Sequence, residues 1–346
     1  MGSGPVKRLT KAVLRAPYRA YETRMDRLVE QRTAPLLMAL NTASDQWSSK
    51  IDDLAQRIQH ISDQVKLQQA VTSVNYDTFA EYRACHTGRD VVVVAAGPSL
   101  NYYRPIENAI HVGVNRVFQY PKVHLDYYFA QDFTNPNLPQ FRQLDQVTAK
   151  IFLGIVANQA YQEINASESL SVRLGASRYY FDTSPSDMIY PDIRFFPLAD
   201  YFTVVFPAIQ FALYTNPAKL YLVGCDTSYF GYFSNDHQTE SYDQMTMYLS
   251  HRLAGYIKLK KFAAQYYPDT CIYSINPVNL RGLFSDVFTD GFEQNTASAV
   301  GYKTLFESTD WKDVTEDDIR RFVAQHVEEV RRSQHGNDQG DSPASP

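Results

Sequence analysis

The sequence predicts an α/β protein: a Rossmann-like, doubly wound and mostly parallel sheet, preceded by a coiled-coil helix and followed by a C-terminal helix. Three observations carry this. Val91–Val94 is a run of valines closed by Ala95-Ala96-Gly97-Pro98-Ser99, the pattern of a strand buried on both faces that ends in a turn. Further short apolar runs alternate with helical windows, the order that yields parallel strands joined by crossover helices. Between Leu37 and Val65, apolar residues recur at alternating three- and four-residue steps, the spacing of a coiled-coil seam.

Taken in order, the chain begins with residues 1–35, a basic amphipathic tail. Up to Arg19 it carries Lys7, Arg8, Lys11, Arg15 and Arg19 and no acidic residue, interleaved with Val6, Leu9, Val13, Leu14 and Tyr18. Such a stretch can lie on an anionic membrane face, which predicts peripheral membrane contact through residues 1–35. Residues 36–75 read as the coiled-coil helix. Leu37, Leu40, Trp47, Ile51, Leu54, Ile58, Ile61 and Val65 form the seam, broken only by Ser44, and Asp45, Lys50, Asp52, Asp53, Arg57, Asp63 and Lys66 flank it. A seam with one apolar face predicts a homo-oligomer, although a helix hairpin packed on the main domain would show similar spacing. A junction is expected near Val71–Asp77, and a helical piece, Tyr76–Ala84, leads through Thr87-Gly88-Arg89 into the main domain, residues 85–290.

Within that domain the expected strands are Val91–Ala96, Ile110–Val114, Leu125–Ala130, Lys150–Val156, Lys219–Val223 and Cys271–Ile275, with helical windows at Val204–Tyr214 and Tyr242–Tyr266. Residues 291–332 form a helical extension that opens on Thr315-Glu316-Asp317-Asp318, a capping-box pattern with Asp as the closing residue. Residues 333–346 are polar, contain Gly and Pro, and read as disordered.

Composition bounds the function. With 346 residues, 44% hydrophobic and 21% charged, the chain can bury a full core without staples. A net charge of −5 argues against binding nucleic acid by bulk electrostatics. The 25 tyrosines and 20 phenylalanines suit cores and sites that grip rings, and most are expected in the core. Cys85, Cys225 and Cys271 are too far apart for a CxxC pair, which points to a reducing compartment and away from a disulfide framework or a zinc site. No stretch reaches the roughly 20 apolar residues of a membrane span. The longest, Tyr201–Tyr214, is interrupted by Pro207 and Gln210, and no apolar segment of signal-peptide type follows the basic start. A cytoplasmic protein, at the inner membrane face if the tail binds there, is the expectation.

The strand ends suggest the site. The first delivers Gly97, Pro98 and Ser99, the second Asn115, the third Gln131 and Asp132, and the strand ending at Val223 delivers Gly224 and Asp226, followed by Tyr229 and Tyr232. Singly, such residues are ordinary loop punctuation. Together at one sheet edge they supply amides for base and ribose, a glycine for close approach and hydroxyls for a phosphate, the contents of a nucleotide pocket. Gly97 would let the backbone approach phosphate or sugar, with the N–H groups after it available to an anion.

The succession AAGPSLN, VGVNRVF, LDYYFAQD and FALYTNPAKLYLVGCDTSYFGY, spanning Asp90–Asn279, resembles the bacterial sialyltransferases of glycosyltransferase family forty-two. It also resembles their wider superfamily of motility-accessory-factor flagellin glycosyltransferases and hydroxymethylpterin diphosphokinase-like proteins. That resemblance implies a Rossmann-type fold that binds a CMP-activated sugar acid and transfers it with inversion to a glycan or glycoconjugate, with no cofactor beyond the donor. It places Gly97, Pro98, Ser99 and Asn115 at the nucleotide, and Gln131 or Asp132 where the family has another asparagine. Gly224 and Asp226 match its Gly-x-Asp at the cytidine end, and Tyr229 and Tyr232 its two tyrosines on the leaving phosphate. The family's Thr-Ser-Gly is kept only as Thr203. Its general-base histidine lies eleven residues before a Phe, as His251 does before Phe262.

These residue types fit the reaction. Transfer passes through an oxocarbenium-like state, in which a histidine can take the acceptor proton and tyrosine hydroxyls can stabilise the departing phosphate without a metal. No Asp-x-Asp of the kind used with metal and diphosphate donors occurs in the core region. His237, in a loop suited to a lid, is the rival base. Two other readings stay open: a pterin-type pyrophosphokinase using ATP and magnesium held by Asp132 and Asp226, and a non-catalytic nucleotide-binding scaffold whose working part is the coiled coil.

Overall fold

The computed structural model of the protein describes residues 6–131, 139–157, 161–183, 188–227, 233, 241–292 and 304–337. The chain divides into two compact units, Met1–Lys66 and Leu67–Pro346.

One helix, α1 (Val6–Phe79), replaces the expected succession of tail, seam and junction. Pro17 and Pro35 fall inside it, as does the segment Val71–Asp77. Each proline removes one intrahelical hydrogen bond, and the flanking stretches rich in Ala, Leu, Arg and Glu carry the helix across. In the first unit, every seam residue from Leu37 to Val65 is between 51% and 66% exposed.

In the second unit the last turns of α1 become structural. Val71, Asn75 and Phe79, one turn apart, are all buried. The Asn75 amide donates to the carbonyls of Ile193 and Phe196 at 3.2 and 2.8 Å, and its Oδ1 accepts from the Tyr180 N–H at 2.8 Å. The Thr78 hydroxyl donates to the Arg178 carbonyl at 2.5 Å. Side chains of a helix thus satisfy backbone groups along a strand that would otherwise present a bare edge.

That strand belongs to a parallel sheet. Its members are β1 (Asp90–Val94), β2 (Ile110–Val114), β3 (Tyr127–Ala130), β4 (Lys150–Val156), β5 (Ser177–Asp182), β6 (Leu198–Ala199), β7 (Lys219–Val223), β8 (Cys271–Ile275) and β9 (Ser285–Val287). Among the described residues they pair in the order β6-β5-β4-β3-β2-β1-β7-β8-β9, every pair parallel. All six expected strands are present. The first ends at Val94 rather than Ala96, and the third begins at Tyr127 rather than Leu125. The helices are α2 (Tyr161–Leu174), α3 (Val205–Tyr214), α4 (Tyr242–Tyr266), α5 (Leu305–Ser308) and α6 (Glu316–Asn337). The capping box before α6 forms: the Thr315 hydroxyl accepts from Asp318 N–H at 3.2 Å while the Asp318 carboxylate accepts from Thr315 N–H at 3.0 Å. The last expected segment, 333–346, is helical to Asn337, and the rest of it lies outside the described residues.

This is a Rossmann-like α/β fold. The chain adds β2 to β6 on one side of β1 and then returns to lay β7, β8 and β9 on the other. The reversal makes a topological switch point between β1 and β7, where open α/β sheets form their ligand crevice. The aromatic abundance is largely a core property. Phe79, Tyr127, Phe129, Phe152, Tyr179 and Phe211 form a cluster in which neighbouring ring centroids lie 4.7 to 6.1 Å apart. Among the described residues, no helix is long and apolar enough to cross a membrane.

Candidate functional site

The loops after β1 and β7 are tied together at the switch point. Gly97 N–H donates to the Gly224 carbonyl at 2.9 Å. Ser99 donates its N–H to Asp226 Oδ2 at 2.9 Å, and its hydroxyl to Asp226 Oδ1. A Cβ on Gly97 would run into the Asp226 carboxylate and come within 2.5 Å of the Gly224 carbonyl, and one on Gly224 would strike the Ala95 carbonyl. Gly224 also has φ +66°, which favours glycine. The glycines are therefore required by the approach of one loop to the other.

This changes the expected role of the Gly97 turn. Pro98 has no N–H, Gly97 and Ser99 donate as above, and Leu100 N–H donates to the Gly97 carbonyl at 3.0 Å. The N–H groups expected to receive an anion are thus engaged within the protein. Asp226, only 4% exposed, likewise has both oxygens on Ser99. Burial pushes its pKa from the ordinary 3.8 up to about 6, against the lowering effect of the two Ser99 bonds. Asp226 shapes the loop and stands back from its surface.

The next two strand ends behave differently. Asn115, at φ +44°, holds a left-handed turn that asparagine tolerates, and its carbonyl accepts from the Tyr128 hydroxyl at 2.6 Å. Its Oδ1 lies 3.4 Å from Gln131 N–H, which brings Asn115 and Gln131 together. Gln131 is 4% exposed, and its amide nitrogen has no hydrogen-bond partner among the described residues. Gly154 on β4 makes room for it, since a Cβ there would sit 2.9 Å from Gln131 Cγ. A buried amide with nothing to donate to is costly unless something else fills the role.

A third group surrounds the start of α3. Tyr201 and Phe202 are consecutive residues at φ +46° and +60°, sterically disfavoured for aromatic side chains. Asp200 Oδ1 accepts from Phe202 N–H at 2.9 Å, and the Arg252 guanidinium donates to the Phe202 carbonyl at 3.0 Å. Thr203 Oγ1 accepts from Val205 N–H at 3.4 Å, so this partly kept motif residue makes a local turn just ahead of the helix, whose N-cap position is Val204. The turn presents the Phe202 ring edge-on to His251, with centroids 5.1 Å apart. His251 Nδ1 lies 2.8 Å from the Met247 carbonyl, which can only accept, so Nδ1 carries a proton and, in the neutral ring, the lone pair is on Nε2.

No hydrogen bond or ring contact joins His251 directly to the Gly97–Asp226 cluster among the described residues. Helix α4 connects them. Four residues beyond His251, Gly255 makes room for Tyr201 and Phe206, and Tyr256 packs against Phe206 with the rings tilted and their centroids 4.6 Å apart. The Tyr256 hydroxyl acts on the Cys225 thiol, beside Asp226, and that thiol donates to the Val223 carbonyl at 3.7 Å. Burial raises the Cys225 pKa to about 12, which keeps the thiol protonated. From the other side Asn279, fully buried, donates its N–H to the Asp226 carbonyl at 3.2 Å and its amide to the Thr227 carbonyl at 2.6 Å. His326 of α6 lies 3.4 Å from the same amide, its pKa lowered to about 4 by burial.

Sequence reasoning missed Asp200, Phe202, Arg252, Tyr256 and Asn279. Only Asn279, in Asn276-Pro277-Val278-Asn279 just after β8, carried a turn signal that could have marked it. Asp132, Tyr229, Tyr232 and the rival base His237 lie outside the described residues. Phe233 is described: its N–H donates to the Ala96 carbonyl at 2.9 Å, against the β1 loop. No protein-family model, curated protein or solved structure matches this chain.

Proposed function

We propose that the switch-point crevice is the donor site of a metal-independent, inverting glycosyltransferase. It moves a sialic acid-like or other nonulosonic or ulosonic acid from a CMP-sugar to a glycan or glycoconjugate, in the cytoplasm, with residues 1–35 against the inner membrane face. The observation that carries this reading is the buried Gln131 amide, left without a partner beside Asn115 at the sheet edge where such folds bind ligands. Gln131 and Asn115 offer amides to the cytidine and ribose, and the surface of Gly97 and Pro98 forms the floor of the crevice. In the reaction the acceptor oxygen bonds to the anomeric carbon as the bond from that carbon to the phosphate oxygen breaks. The acceptor proton passes to His251 Nε2, and CMP departs with the bonding electrons. Tyr229 and Tyr232 are assigned to the departing phosphate on the motif resemblance alone. The magnesium-dependent alternative has less support, because Asp226 is held by Ser99.

The test is hydrolysis and transfer from a panel of CMP-sugars with chelator present. Turnover under those conditions, reduced roughly 100-fold or more by His251→Ala in a folded variant, is expected. Turnover of ATP with magnesium alone would replace this reading by the pyrophosphokinase, and turnover of neither by the scaffold.

A further inference from the structure

The exposed face of α1 calls for a partner, and its residues specify which. In heptad terms Leu37, Ser44, Ile51, Ile58 and Val65 occupy a positions, and Leu40, Trp47, Leu54 and Ile61 occupy d. All eight apolar members are more than half exposed, and among the described residues the first unit holds no second element to cover them. A soluble helix does not leave a continuous apolar stripe of this length in water without a function for it.

We infer that the stripe is covered by the same stripe of a second copy of this chain, parallel and in register. Charge decides the direction. The g positions beside the seam centre hold Lys50 and Arg57, and the e positions hold Ser48, Ala55 and Ser62. Acidic residues lie on the outer face, where Asp53 pairs with Arg57 at 4.0 Å and Asp63 with Lys66 at 3.7 Å within the helix. An antiparallel pair centred on Ile51 and Leu54 would set Lys50 of each copy against Arg57 of the other, two like-charge pairs on the flank where g residues face each other. A parallel pair sets both cations against the small neutral e residues. Ser44 agrees: in a parallel pair it meets the other copy's Ser44, hydroxyl to hydroxyl, whereas in an antiparallel pair it meets Ile61. Ile51, Ile58 and Val65 at a, with Leu40 and Leu54 at d, favour two strands.

The measurement is the mass of the full chain by sedimentation equilibrium, combined with disulfide trapping. With Cys85 and Cys271 replaced by serine, Ser44→Cys should cross-link two copies under mild oxidation. Leu54→Ala should raise the dissociation constant roughly 30-fold or more while the α/β unit stays folded. A monomer or a trimer, a dimer in which Ser44→Cys stays unlinked, or a dissociation constant unchanged by Leu54→Ala would each overturn the parallel pair. None of these outcomes depends on what the crevice binds.

Discussion

Asp226 and His326 flank the same loop, and burial acts on both with opposite consequences for stability. The Asp226 pKa is raised from 3.8 to about 6, so the folded state holds its proton more tightly than the unfolded chain. Its contribution is fully present below pH 4, is lost as pH rises through 6, and leaves a deficit on the order of 3 kcal/mol above that. The His326 pKa is lowered from 6.5 to about 4, so its contribution is present above pH 6.5 and a similar amount is lost as pH falls through 4. In the wild type the two oppose each other between pH 4 and 6. Urea unfolding should therefore show Asp226→Asn gaining stability relative to wild type on going from pH 4 to 7, and His326→Gln losing it. Parallel profiles for all three proteins would contradict the burial of both groups beside Asn279.

At the scale of elements, α1 shows how a helix can stand in for a strand. Asn75→Leu would strand the Tyr180 N–H and the carbonyls of Ile193 and Phe196, and should lower unfolding free energy by roughly 2–4 kcal/mol in denaturant titrations. An unchanged midpoint would show that the α1 contact contributes nothing. The sequence made the β-branched central strands legible because they are short continuous apolar runs. It hid β5, whose Ser177-Arg178 start is polar, and β6 and β9, which are too short to show a period. It also suggests a junction near Val71–Asp77, which the helix crosses without interruption. In the site, Gly97, Ser99, Gly224 and Asp226 were legible as a group but for another reason. The residue types suggest ligand contacts, and the structure has them holding two loops to each other. The Tyr201–Phe202 turn was not legible at all, because aromatic residues give no signal of a left-handed backbone.

At the scale of the molecule, the nine-stranded parallel sheet of the described residues, with its strand order reversed at β1 and β7, concentrates polar strand ends at one edge, and the helical unit carries an exposed apolar stripe. A net charge of −5 gives the chain no bulk field with which to recruit a polyanion, so the proposed donor site rests on local groups. The most direct test of the donor site is calorimetric titration of CMP into the wild type and into Gln131→Leu, with the unfolding free energy of each measured alongside. The expected result is binding by the wild type that is lost in Gln131→Leu, in a variant at least as stable as the parent because a buried, unpartnered amide has been removed. Absence of CMP binding by the wild type, or equal binding by the variant, would contradict a cytidine-binding crevice at the ends of β1, β2, β3 and β7.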